Sequence, residues 1–218
     1  MLTMHAIQDP IIRSQGGGTH GFLPHVAATV VHVLVGVLSG ASVGILVGWA
    51  LAQRPVLRHH GEPLLEALRV IPPLILIPFV LVAVGPIELS QFLVVGVYAA
   101  LSMLVHTLNA MKRIPYGYRV IARLHGASQW QTLRTLTLPA CLPELLAGLR
   151  ITLAVSLGIA IVAEYLGAPS GIGRVLKFSL SFARTDLMFV GLAWVALVGW
   201  MFDLLVDRVV LRRINWRG

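Results

Sequence analysis

Between Pro24 and Val206 the chain carries one long apolar run after another, each with few charges or none. A helical run of about twenty such residues matches the hydrocarbon core of a bilayer, about 30 Å thick. Composition agrees: hydrophobic residues make up 57% and charged residues 12% of the chain, the latter about half the roughly 25% of soluble domains. The expected fold is all-α, a polytopic membrane helical bundle. The pattern predicts five crossings, over about Pro24–Ala52, Leu64–Val84, Leu89–Met111, Leu145–Leu166 and Leu187–Val206.

The formal net charge of +8 would suggest a nucleic-acid partner in a soluble chain. Here the arginines gather between apolar runs, where basic residues mark cytoplasmic loops, so no nucleic-acid role is expected. With the N-terminus outside, the inner segments hold Arg54, Arg58, Lys112, Arg113, Arg119, Arg123 and Arg134, and the tail adds Arg208, Arg212, Arg213 and Arg217. The outer segments then hold only Arg13, Arg174, Lys177 and Arg184. The predicted topology is N-terminus outside and C-terminus cytoplasmic. Residues 1–23 read as a polar leader without the apolar centre of a cleavable signal, and residues 24–218 as the membrane domain. The single Cys141 has no intrachain disulfide partner.

Two spans carry packing signals. Gly36, Gly40, Gly44 and Gly48 recur every four residues in the first, a stripe that lets helix backbones approach closely in lipid. The bland reading, tight helix packing, is preferred to a pore lining. In the second, Pro72, Pro73 and Pro78 each remove a backbone donor, which predicts a kink or local break. Carbonyls freed there must face protein or a wet cavity, which makes this span a candidate pathway wall, with a merely structural kink as the equal alternative.

The stretch "HGASQWQTLRTLTLPACLPE" (125–144) breaks the apolar pattern. Ser128 and Gln131 have capping-box spacing, which predicts a short helix from there to Pro139. Trp130, Leu133 and Thr137 would share one face of it. "YRVIARL" would form a second short helix, with Gly126 making the bend between the two. The result is a helix–turn–helix element between the third and fourth spans. It could rest on lipid headgroups, be an ordinary long loop, or dock a soluble partner. Its length and apolar content favour docking.

These residues carry a family resemblance. "LHGASQWQTLRTLTLPACLPELLAGLRI" resembles the cytoplasmic coupling loop of permease subunits of bacterial ATP-binding-cassette importers. Gly126 matches the family's glycine, and Leu138 with Pro139 its Leu-Pro. The family's Glu-Ala-Ala reads Val120, Ile121, Ala122 here, so the glutamate is missing and only Ala122 is kept. "PLLEALRVIPPLILIPFVLVAVG" and "VAEYLGAPSGIGRVL" are similar to further segments of the nitrate, sulfonate and taurine branch. Many members have an additional N-terminal span, so the five spans here correspond to the core domain alone, with a coupling loop over about 112–144.

The resemblance implies a permease subunit of an importer in the bacterial inner membrane. It would pair with a second copy or close relative and sit on two ATPase subunits, with an extracytoplasmic solute-binding protein delivering the solute. Coupling to the ATPase would fall to Ala122, Gly126, Ala127, Ser128, Trp130, Leu133, Leu138 and Pro139. No cofactor is expected on this chain, because it has no phosphate-loop motif; ATP and Mg²⁺ would bind on the partners. The implied solutes are small anions such as nitrate or sulfonates, or small heterocyclic precursors.

Candidate pathway residues come from polar stripes within spans. Tyr98, Ser102, His106 and Asn109 form one on the third span, while Thr152, Ser156 and Glu164 share a face of the fourth. Such groups face the bundle interior or a wet cavity. Interhelical hydrogen bonding competes with solute contact for the first stripe. Glu164, near the outer boundary, would snorkel to water, with a gate or solute-path role as the alternative. Asp203 and Asp207 are expected to pair with arginines. A channel or secondary carrier not driven by ATP is the alternative, though a carrier would show related halves and internal ionisable groups. A membrane enzyme would need clustered catalytic or metal-binding side chains, and the eight histidines are scattered. No catalytic or metal residues are therefore assigned.

Overall fold

The computed structural model describes residues 22–53, 61, 67 and 72–213. The leader up to Gly21, the first inner loop with Arg54, Arg58, His59 and His60, and most of the second span before Pro72 lie outside the described residues. So do the last residues of the tail, from 214 on.

Among the described residues the chain is helical, with no strand. Helix α1 covers Leu23–Ala52, α2 Pro73–Val84 and α3 Glu88–Lys112; α4 covers Tyr116–Leu124 and α5 Gln129–Thr132. A π-helical turn, Leu133–Thr137, leads into α6 (Leu138–Gly167), followed by α7 (Ile172–Ser181) and α8 (Thr185–Arg213). Four helical stretches are long and apolar enough to cross a membrane: α1, α3, the continuous Gln129–Gly167, and α8 to Arg208. Helix α2, at about 18 Å by the standard rise, covers the outer part of the predicted second span. It begins where Pro72 takes an extended conformation, holds Pro78 inside, and ends at Gly85 with φ +96°.

The glycine stripe of α1 packs against α3. A methyl group at Gly40 would stand 2.1 Å from the Gly96 carbonyl oxygen, and one at Gly44 2.2 Å from that of Ala100. No side chain fits there, so the two backbones run in direct contact. The main core gathers Val33 and Val37 of α1, Val95 and Ala99 of α3, Leu153, Leu157 and Ala160 of α6, Val175 of α7 and Val198 and Phe202 of α8. Across the bundle, Arg150 of α6 reaches Asp203 at 2.6 Å and Asp207 at 2.9 Å on α8. Both aspartates thus pair with an arginine, as expected, and its source is the fourth span.

One expectation fails. Pro139 does not end the short helix: the chain continues from Gln129 to Gly167 as one helical column of 39 residues. Proline lacks an N–H, and its ring clashes with the carbonyl four residues earlier. The π turn just before it widens the helix by one residue, and the Leu138 N–H donates to the Leu133 carbonyl, five residues back. The ladder absorbs Pro139, and further on Pro143, without a break.

Candidate functional site

Three polar features interrupt the apolar bundle, one at each end and one between. At the loop end, α4 closes on a left-handed Gly126 with φ +69°. The Ala127 N–H donates to the Ala122 carbonyl at 3.0 Å, the six-to-one bond of a Schellman stop. Helix α5 then starts with the predicted capping box. The Gln131 N–H donates to Ser128 Oγ at 3.2 Å, and the Ser128 N–H to Gln131 Oε1 at 2.8 Å. The pair exposes apolar surface: Leu124 is 80% exposed and Trp130 67%, with Tyr118 and Ile121 also open. Burial deepens along the expected face, from exposed Trp130 through half-buried Leu133 to buried Thr137, as the helix enters the bundle. Leu138 and Pro139 remain exposed.

Within the bundle, a groove of ≈ 440 Å³ lies between α2, α3 and α6. Tyr98, Ser102, His106 and Asn109 all line it, opposite Pro73 and Leu76 and beside Ile151 and Val155. The Ser102 hydroxyl also hydrogen-bonds that of Thr152 at 2.8 Å, so the stripe serves helix contact and groove at once. Ser156 and Glu164 are buried and do not line this groove.

The end of the bundle away from α4 and α5 holds a second polar network. Glu164 is 1% exposed and does not snorkel to water. Its carboxylate accepts from Thr29 Oγ1 at 2.9 Å, His32 Nδ1 at 2.8 Å and the Gly173 N–H at 3.0 Å. With three donors fixed around it, an interior position satisfies the charge that would otherwise seek water. The other ring nitrogen of His32 meets Glu88, which also accepts from Ser170 Oγ at 2.7 Å. Both ring nitrogens of His32 thus face carboxylates.

The same face of α1 holds the segment between α6 and α7. The Gly171 N–H donates to His25 Nδ1 at 3.2 Å and the Ile172 N–H to Thr29 Oγ1 at 2.9 Å. Gly171 has φ +114°, and a methyl group there would stand 2.1 Å from the Glu164 carboxyl carbon. The glycines let this backbone close over the carboxylate. His25, Thr29 and His32 follow an i, i+4, i+7 pattern, one helical face; that spacing was the available signal, next to the more conspicuous glycine stripe. Among the described residues no group of three or more His, Cys, Asp or Glu side chains is arranged to hold a metal ion.

Residues 40–215 match the family model described as "Binding-protein-dependent transport system inner membrane component". The taurine transport system permease protein TauC of Escherichia coli is 29% identical over 206 residues, covering 92% of this chain and 75% of that protein. The putative aliphatic sulfonates transport permease protein SsuC of Bacillus subtilis is 26% identical over 194 residues, covering 89% and 70%. In three dimensions the chain resembles one of the MetNI methionine ABC transporter, solved in inward-facing conformations. The TM-score is 0.79 at 25% identity, over 89% of this chain and 96% of that one.

Proposed function

The chain belongs to the inner-membrane components of binding-protein-dependent transport systems, and on that premise we propose how its parts divide the work of an ATP-driven importer. It is the permease subunit. Two copies enclose the solute pathway, with the groove of Tyr98, Ser102, His106 and Asn109 on each forming part of the wall. Two separate ATPase subunits, which bind ATP and Mg²⁺, seat beneath the α4–α5 pair. A solute-binding protein delivers its load from the opposite side. The N-terminus lies outside and the C-terminus in the cytoplasm, as the arginine distribution predicts.

The observation that carries this division is the α4–α5 element. Two short helices with capped ends hold Tyr118, Ile121, Leu124 and Trp130 open, and the second runs unbroken into a spanning helix. An exposed aromatic and aliphatic patch on a rigid element suits a protein partner. A helix continuous with the bundle carries that partner's motion to the pathway as a rigid body. Leu138 and Pro139 stand where the column enters the membrane; Ala122 and Ala127 join the two helices through their backbone bond.

The lining of the groove supports a solute class. Tyr98, Ser102, His106 and Asn109 offer hydroxyl, imidazole and amide donors, and among the described residues no carboxylate lines it. A groove wall rich in donors favours a small anion such as a sulfonate or nitrate, with a small polar heterocycle as the second class. The test is ATP-dependent uptake into proteoliposomes holding the permease, its ATPase and its binding protein, with taurine, ethanesulfonate and nitrate as labelled solutes. Uptake of one of them that requires ATP supports the reading. Uptake at the same rate without ATP assigns a channel or secondary carrier instead.

A further inference from the structure

Glu144 stands where the coupling element and the pathway groove touch through charged side chains. It lies on α6, fifteen residues beyond Gln129 on the same helical column, which has no break at Pro139 or Pro143. Its Oε2 is 2.7 Å from Arg113 Nη1 at the inner end of α3, and its Oε1 is 3.5 Å from Nδ1 of His106. Arg113 ends the span that enters the coupling element and Glu144 opens the span that leaves it. His106 is a groove residue.

The imidazole of His106 is also seated by shape. It lies over Gly148, one helical turn beyond Glu144, where a methyl group would stand 2.4 Å from the ring's Cγ. The ring therefore rests on the α6 backbone and faces a carboxylate of the same helix. Any slide or rotation of α6 against α3 moves both supports together, and the ring must follow or lose them.

We propose that Glu144 is a positioning residue: it carries movement of the coupling helix to the inner end of the groove by holding His106 and Arg113 of α3 to α6. The proposal rests on the permease reading above. Its logic is that of a two-state element biased from one end and read at the other. Glu144 touches no solute in this scheme; it decides which position of His106 goes with which position of α5.

The test follows a cysteine in the groove through the ATPase cycle. Val105, beside His106, lines the same groove, and Cys141→Ser removes the native thiol. The Val105→Cys complex with its ATPase subunits, in nanodiscs, is reacted with a membrane-impermeant methanethiosulfonate, without nucleotide and after ATP–vanadate trapping. With Glu144 present, trapping should change the reaction rate by about tenfold, within the usual range of allosteric coupling. With Glu144→Ala the change should fall below about twofold, while the amount of trapped nucleotide stays the same. Glu144→Asp should restore part of the response, and Arg113→Gln should weaken it.

An unchanged tenfold response in Glu144→Ala overturns the proposal. Loss of trapped nucleotide or of assembly in both Glu144→Ala and Glu144→Asp also overturns it, by making the residue a structural support. A parent complex whose labelling ignores nucleotide would instead refute the ATP-driven reading itself.

Discussion

Replacing Glu164 by alanine should unfasten the outer end of the bundle. The carboxylate accepts three hydrogen bonds, from Thr29 Oγ1, His32 Nδ1 and the Gly173 N–H. Thr29 has a second acceptor within reach, the His25 carbonyl at 3.2 Å, so its hydroxyl is not stranded. The Gly173 amide and Nδ1 of His32 are. A stranded buried donor costs about 1–3 kcal/mol, more when charged, and breaking a buried ion pair from one side costs about 3–5 kcal/mol. The variant should therefore lose roughly 3–5 kcal/mol, felt first in the segment that Glu164 holds. Amide hydrogen exchange over residues 168–175 measures this directly. At 1.4 kcal/mol per tenfold, protection should fall by about two to three and a half decades. Glu88→Gln is the control. Glu88 serves the same histidine from a half-exposed position, so that variant should cost about 1 kcal/mol or less. Equal losses for the two variants, or unchanged exchange at Gly173 in Glu164→Ala, would refute the view of Glu164 as the buried anchor.

The stripe of α1 makes a sharper steric prediction. Gly44→Ala places a methyl group 2.2 Å from the Ala100 carbonyl and should cost about 1–3 kcal/mol by forcing two helices apart. Gly158→Ala, with nothing within 4 Å, should shift thermal unfolding by no more than about 0.5 kcal/mol. At the coupling element, Trp130→Asp should abolish co-purification of the ATPase while leaving the permease folded by circular dichroism. Gly126→Val should do the same through backbone strain, because φ +69° is foreign to a β-branched residue. A lone cysteine at Ser128 should react with impermeant reagents only from the cytoplasmic side; labelling from outside would overturn the topology.

Much of this protein is written in local pattern. Apolar runs of spanning length determined a helical membrane bundle, because hydrocarbon admits only self-satisfied backbones. The glycines at four-residue spacing already implied close packing, since a stripe of missing side chains has one obvious physical use. Ser128, Gln131 and Gly126 announced two capped helices, as caps and left-handed stops are chemistry within six residues. Tyr98, Ser102, His106 and Asn109 shared a face by helical periodicity alone.

What the tertiary structure decided concerns partners distant in sequence. Glu164 read alone is a charge near a membrane boundary, free to turn to water. It becomes a buried anchor only because α1 brings Thr29 and His32, more than 130 positions away, and because glycines let the backbone fold over it. The pairing of α1 with α3 was implied by the stripe only as packing against some helix. Pro139 illustrates the same limit at short range. Its local rule is to stop a helix, yet the helix continues, because a π turn just before it pairs the Leu138 N–H with the Leu133 carbonyl and lets the ladder pass the proline. Local rules hold where the chain meets only itself; across the bundle, the identity of the neighbour decides.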